Sequence, residues 1–305
     1  MKRLIIAALV LVCALGSVRA ESGAPIRFGL TAVVIRENLR FLDRWAEYLS
    51  DKVGRPIEFV RRRSYREITD LLETGRLEFA WICGYPFVQK RDPEFLTLLA
   101  VPVYKSEPLY HSFIIVHRDS PFAELKDLRG GVFAFSDPES NSGFLYPQSV
   151  LANQGETPES FFRQTFFTFN HAETVEAVAE QVAEGGAVDS YIWEYMRFFQ
   201  PEIADKTRVI MRSPKFGFPP LVSRLGVNAA VVTRMKAALM EMADDPEARP
   251  FLEGLKLDGF GDFPPSLFDN IRRMADETRK AMPWLTSASK SKETKVKETS
   301  KTREK

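Results

Sequence analysis

The chain has 305 residues, 45 % of them hydrophobic, with 42 basic and 41 acidic side chains and a formal net charge of +1. That balance gives no electrostatic footprint for nucleic acid, and beyond the N-terminal region no stretch is long and apolar enough to span a bilayer. Two cysteines and three histidines, with no chelating spacing, offer no metal cluster, so no cofactor is expected.

The first twenty residues read as a secretory leader. Lys2 and Arg3 precede an apolar run from Leu4 to Leu15, and "SVRA" predicts cleavage after Ala20. A lipoprotein site at Cys13 fits less well, because Val12 stands where a small residue is wanted. Export would place the protein in the periplasm with Cys83 as its single cysteine, so no intrachain disulfide can form. Losing the three leader cations takes the net charge to −2; the Lys-rich tail 286–305 contributes +4, which leaves about −6 on the body 21–285. With almost no apolar residues, the tail is expected to be disordered.

From Ile26 onward strands and helices alternate. "IRFGLTAV" (26–33) predicts a buried strand, and "NLRFLDRWAEYLSDKVG" (38–54) places Leu39, Leu42, Trp45, Ala46 and Leu49 at helical spacing before Gly54. "PIEFVRR" predicts a second strand, "SYREITDLLETGR" a helix opened by Ser64, and "LEFAWICG" a third strand. The alternation implies a mostly parallel sheet covered on both faces. Arg61, Arg62 and Arg63 look like a phosphate clamp, but in a strand they alternate faces and read as a solvated edge.

"YHSFIIVHRDSP" (110–121) marks a crossing into a second unit, which "FAELKDLRGGVFAFS" opens with a helix and a strand. "AETVEAVAEQVAEGG" (172–186) continues as a helix and "AVDSYIW" as a strand. The Pro-rich run "RVIMRSPKFGFPPLVSR" (208–224) suits a return crossing, and helices near 228–243 and 265–281 close the first unit. No internal repeat is visible. The expected architecture is two α/β lobes joined by two crossover segments around a central cleft, with 21–113 and 212–285 forming lobe 1 and 114–211 forming lobe 2.

"FAFSDPESNSGFLYP" (133–147) follows a strand and precedes an apolar-periodic segment, so its polar centre falls at a helix N-terminus. Free backbone amides there, the helix dipole, the side chains of Ser140, Asn141 and Ser142, and a close approach at Gly143 make a recipe for an anion site without Lys or Arg. Simple N-capping by Ser140 or Ser142 explains the same pattern.

Five blocks carry a resemblance between about Ile26 and residue 260: "YREITDLLETGRLEFAWICGYPFV", "FAFSDPESNSGFLYP", "FNHAETVEAVAEQVAEGG", "AVDS" and "SPKFGFPPLV". In this order and spacing they resemble the PhnD-type periplasmic substrate-binding proteins of phosphonate, phosphite and phosphate ABC importers. The resemblance implies a class II periplasmic-binding-protein fold and a non-enzymatic monomer. Such a protein closes on a small oxyanion and delivers it to an ABC permease in the inner membrane. Carried over by position, it implies an anion cluster at Ser140, Asn141, Ser142 and Gly143, a hydrogen-bond donor at His171, and a cleft-facing aromatic at Tyr65. Asp189 and Ser190 would sit at a strand end on the cleft rim. Where many members have Gly-Pro followed by Tyr, this chain has "CGYPFV", so either Tyr85 or Phe87 stands in. The second crossing, "KFGFPP", holds no acid to meet an ammonium, which favours a compact oxyanion over an aminophosphonate. Cys83 reads as a small buried hydrophobe or as a thiol ligand. The latter underlies a second reading, a periplasmic sensor of arsenite signalling to a membrane receptor or sensor-kinase ectodomain. No G-x-S-x-G or P-loop supports an enzyme.

Overall fold

The computed structural model describes residues 23–31, 39–90 and 95–281. The expected leader and the tail from 286 lie outside the described residues. Lobe 1 begins with β1 (Ile26–Leu30), α1 (Leu39–Val53), β2 (Ile57–Arg61), α2 (Tyr65–Glu73), β3 (Phe79–Trp81), α3 (Gly84–Lys90) and β4 (Leu96–Val103). A short β5 (Leu109–Tyr110) leads into lobe 2, which holds β6 (Ser112–His117), β7 (Val132–Phe135), α4 (Tyr146–Ala152), α5 (Pro158–Phe161), β8 (Gln164–Phe167) and α6 (His171–Ala179). It continues with β9 (Gly185–Asp189), α7 (Ser190–Phe199), α8 (Pro201–Ala204) and β10 (Thr207–Arg212). The chain returns through β11 (Phe216–Gly217) to β12 (Leu221–Arg224), α9 (Ala229–Met240), α10 (Arg249–Leu255), β13 (Gly259–Gly261) and α11 (Asp269–Ala281).

The two sheets share one plan. Lobe 1 has the order β2-β1-β3-β12-β4-β13, and lobe 2 the order β8-β7-β9-β6-β10. In each, the first three strands pair in parallel, and the fourth position is filled by the strand that has just crossed from the other lobe. That strand, β12 or β6, runs antiparallel to both neighbours. The sheets are therefore mixed rather than mostly parallel, because each lobe borrows a strand at every crossing. The crossings themselves pair, β5 with β11 antiparallel, as a two-stranded hinge.

Aromatic side chains fill both cores. Trp45 of α1 lies 5.1 Å from Phe59 and 6.3 Å from Trp81 across the lobe 1 sheet. In lobe 2, Phe133 stacks on Phe162 at 4.4 Å and Phe135 meets Phe144 edge-on at 5.1 Å. Burial of each such ring contributes roughly 1.5–3 kcal/mol, so two compact lobes hold without a disulfide. "AVDSYIW" is not one strand: β9 stops at Asp189 and α7 starts at Ser190. Asp189 caps that helix through Oδ1, which accepts the Tyr191 N–H at 2.7 Å. Tyr191, Ile192, Trp193 and Met196 then turn to the interior.

Candidate functional site

The loop after β7 enters its helix through a π turn, Asn141–Leu145, capped by Ser140, whose Oγ accepts the Gly143 N–H at 2.9 Å. The widened turn is closed by Leu145 N–H to Ser140 O at 3.0 Å, and π turns of this kind recur at functional sites. Pro147 sits in the first turn of α4, where its missing N–H costs nothing. Of the two residues expected as N-caps, Ser140 takes that role and Ser142 does not. Gly143 has a different role from the one expected. A Cβ there would lie 2.5 Å from Ser136 Cβ and 3.1 Å from His171 Cε1, so the glycine admits protein neighbours and not a ligand. Its carbonyl accepts the Ser136 N–H at 3.2 Å, which fastens the turn to β7.

His171 opens α6 and faces the same turn. Its Nδ1 accepts the Asp189 N–H at 3.1 Å, so the ring proton resides on Nε2, 3.5 Å from Ser140 Oγ. Burial pushes the His171 pKa down to about 3, which makes it a neutral donor at any physiological pH. Asp189 is pushed up to about 7 by burial, against the pull of the amides that its carboxylate accepts. Ser190 is used structurally: its Oγ accepts the His111 N–H at 2.9 Å and ties α7 to the hinge.

Lobe 1 closes over this floor. Burial raises the Tyr65 phenol well above its ordinary value, and Cys83, Asp137, Asp189 and Tyr110 act on it in the same direction. Cys83 Sγ accepts the Asn141 N–H at 3.2 Å across the lobes. Burial raises that thiol to about 12, so it is a neutral SH and not the thiolate that an arsenite site requires. Tyr110 Oη, on β5, accepts from Asn141 Nδ2 at 2.9 Å. No residue of this cluster is more than 2 % exposed. Inside it Tyr65 Oη, Asn141 Oδ1 and Ser142 Oγ have no hydrogen-bond partner, and the groups named carry no lysine or arginine.

Of the two aromatics proposed for "CGYPFV", Phe87 packs edge-on against Phe268 at 5.0 Å in the core between α3 and α11. Tyr85 instead lines a groove of about 600 Å³ beside the cradle, with Arg66, Asp137, Glu139, Phe169 and Arg279. Arg61, Arg62 and Arg63 are exposed, as a solvated edge requires.

Two site residues escaped the sequence reading. Asp137 lies inside the quoted stretch, yet nothing local shows that its Oδ2 accepts the Tyr65 N–H of the opposite lobe at 3.1 Å. Tyr110 is one aromatic in a β-rich run, and its bond to Asn141 spans 31 positions. Among the described residues no cluster of His, Cys, Asp and Glu is placed to hold a metal ion.

Residues 29–267 match the family model described as "ABC transporter, phosphonate, periplasmic substrate-binding protein". The phosphonates-binding periplasmic protein of Escherichia coli K12 is 24 % identical over 243 residues, covering 77 % of this chain and 71 % of that one. A binding-protein component of a phosphonate ABC transporter from Pseudomonas aeruginosa superposes with a TM-score of 0.79 at 21 % identity, covering 92 % of this chain and 99 % of that one. PhnD1 of Prochlorococcus marinus, solved with methylphosphonate, gives 0.74 at 17 % identity over 84 % of this chain and 98 % of that one. At these identities the solved structures establish the fold, a two-lobed periplasmic binding protein.

Proposed function

The chain belongs to the family of phosphonate ABC transporter periplasmic substrate-binding proteins, and on that footing we propose that its buried cradle captures a compact tetrahedral oxyanion of the phosphate, phosphite or alkylphosphonate class. The observation that carries the reading is the pair of unpartnered buried hydroxyls, Tyr65 Oη and Ser142 Oγ, around a capped helix start, with Asn141 Oδ1 beside them as an acceptor for a proton carried by the ligand. An unpaired buried hydroxyl costs about 1–3 kcal/mol, a cost that a ligand oxygen removes on binding.

In the proposed complex the Tyr65 and Ser142 hydroxyls donate to ligand oxygens, and His171 Nε2–H adds a third donor. All are neutral, and they act in a water-poor site where each hydrogen bond is strong. Asp189 carries the remaining specificity. Ionised, it would repel the anion; with a proton on Asp189 or on the ligand, the two share a hydrogen bond. The binding energy is realised only when both lobes contribute, so ligand favours the closed arrangement. The leader 1–20 would be removed on export to the periplasm, where the mature chain, a non-enzymatic monomer, delivers its ligand to an ABC permease in the inner membrane. The sensor reading through Cys83 is not favoured: the family is a transporter component and the thiol is held neutral.

A thermal-shift panel of phosphate, phosphite, methylphosphonate, 2-aminoethylphosphonate, sulfate and arsenite tests the assignment. We expect a rise in Tm with at least one compact phosphorus oxyanion and none with arsenite. A rise confined to 2-aminoethylphosphonate would make Asp189 an ionised ammonium partner, and no rise with any oxyanion would contradict the proposal.

A further inference from the structure

A second, larger groove of about 1140 Å³ lies on the α7 side of the hinge, away from the cradle. Both lobes build it. Tyr104, Lys105 and Lys256 come from lobe 1; Trp193, Arg197, Arg208 and Arg212 come from lobe 2. The lobes are bonded beneath it, where Tyr104 Oη donates to Glu194 at 2.5 Å, Lys105 pairs with the same carboxylate, and Tyr191 Oη donates to Leu255 O at 2.6 Å.

The charge of this groove is one-sided. Its two carboxylates are neutralised, Glu194 by Lys105 and Asp205 by Arg197 at 2.9 Å. Four cations remain without an acidic partner among the described residues. Arg208 donates to the carbonyls of Ser120 and Phe122, Arg212 lies 4.7 Å over the Phe113 ring, Lys256 lies 3.3 Å over Phe198, and Arg118 is exposed at the edge. These positive charges stand on a body whose net charge is about −6. Large rings are left in solvent beside them, with Phe198 63 % and Phe199 45 % exposed. Lys105 (φ 52°) and Lys256 (φ 54°) both present their side chains from the left-handed region, where glycine is the unstrained residue.

Arginine with aromatic side chains is the composition of protein-binding hot spots. A small-molecule pocket is more enclosed and spans roughly 300–1,000 Å³. We infer that this groove docks an acidic peptide segment of a partner protein, its carboxylates meeting Arg118, Arg212 and Lys256 and its apolar side chains seated on Phe198. Because the walls belong to different lobes, an occupant reads their relative placement, whichever oxyanion fills the cradle.

The test uses fluorescein-labelled octaglutamate and the mature chain, followed by fluorescence anisotropy at about 10 mM salt, where screening extends over about 30 Å, and again at about 150 mM. We expect saturable binding that weakens about tenfold with salt and about tenfold in Arg118→Glu/Arg212→Glu, while Arg61→Glu/Arg62→Glu, the same charge change on the β2 edge, alters it less than about twofold. All four positions are exposed, so Tm should hold, and an unchanged oxyanion thermal shift in both variants separates this site from the cradle. Absence of saturable binding, or equal loss in the β2 control, would overturn the inference. Tighter binding of ATP or of phosphatidylglycerol vesicles through Arg118 and Arg212 would overturn it in favour of a phosphate-bearing occupant.

Discussion

Gly143 shows how one residue can serve two arguments with opposite consequences. Were it present for helical entropy alone, Ala would stabilise the helix by about 1 kcal/mol. A Cβ at that point would instead lie 2.5 Å from Ser136 Cβ, in a cluster where Ser136 already bonds Ala187 O and Thr174. Overpacking of this kind costs about 1–3 kcal/mol and outweighs the propensity gain. Gly143→Ala should therefore lower urea-unfolding stability by about 1–2 kcal/mol, whereas an increase would mean that the Ser136 contact is soft. The sequence marked Gly143 as special but could not say what approached it, because Ser136 and His171 meet it only through tertiary packing. Ser140 and Ser142 were more legible, since a helix start announces itself locally, whereas His171 stood out only through the family resemblance. The partners that complete the cluster, Tyr110, Asp137 and Cys83, arrive from 31, 72 and 58 positions away in their bonds to Asn141, Tyr65 and Asn141.

At the scale of elements, α2 of lobe 1 and the 137–139 segment of lobe 2 form a clasp across the cleft. Asp137 Oδ2 accepts the first amide of α2, Glu139 accepts from Thr69 Oγ1 at 3.4 Å, and Arg66 stands 3.8 Å from Glu139. A carboxylate at a partly buried helix N-terminus contributes up to about 2 kcal/mol, and here that energy is available only while the lobes are together. Asp137→Ala should thus weaken oxyanion binding by about three- to thirtyfold and enlarge the radius of gyration measured by X-ray scattering with ligand present. Unchanged scattering and affinity would show that the clasp plays no part in closure. Strand–helix alternation made most elements legible from β1 to β3 and again around β7. "AVDSYIW" misled because its β-branched and aromatic residues suit a strand as well as a helix. Asp189 decides between them by capping α7, a role visible only once its carboxyl is placed beside the Tyr191 amide.

For the whole molecule, the two lobes repeat one strand order without a visible sequence repeat, because topology is set by where apolar strands can pair and not by residue identity. Two crossings and a cleft could be read from a β-rich run at 110–121 and a Pro-rich one at 208–224; the exchanged strands β6 and β12, which make each sheet mixed, could not. Three buried groups, Asp189, Asp137 and His171, carry large shifts into the pH response of the folded state. Asp189 at about 7 and Asp137 at about 6 lie above the ordinary value of 3.8, so folding favours their protonated forms. Their contribution is greatest at low pH and is lost as pH rises from about 4 through the folded values. His171, lowered from 6.5 to about 3, acts oppositely, losing stability as pH falls below 6.5. Above pH 6.5 Asp189 alone among the three still titrates strongly. The Tm without ligand should therefore fall between about pH 6.5 and 8, and Asp189→Asn should flatten that fall; a decline of equal slope in the variant would remove Asp189 as its cause.

In the binding mode we propose, neutral buried donors, Ser142 and Tyr65 foremost, hold a compact oxyanion between the lobes. Calorimetric titration of methylphosphonate into the wild-type chain, Ser142→Ala and Tyr65→Phe tests it most directly. We predict saturable binding to the wild type and a loss of about 1–3 kcal/mol in each variant, with Tm without ligand unchanged or raised, since each substitution removes a hydroxyl that has no protein partner. Wild-type binding that survives both substitutions at full affinity would mean that these hydroxyls do not hold the ligand.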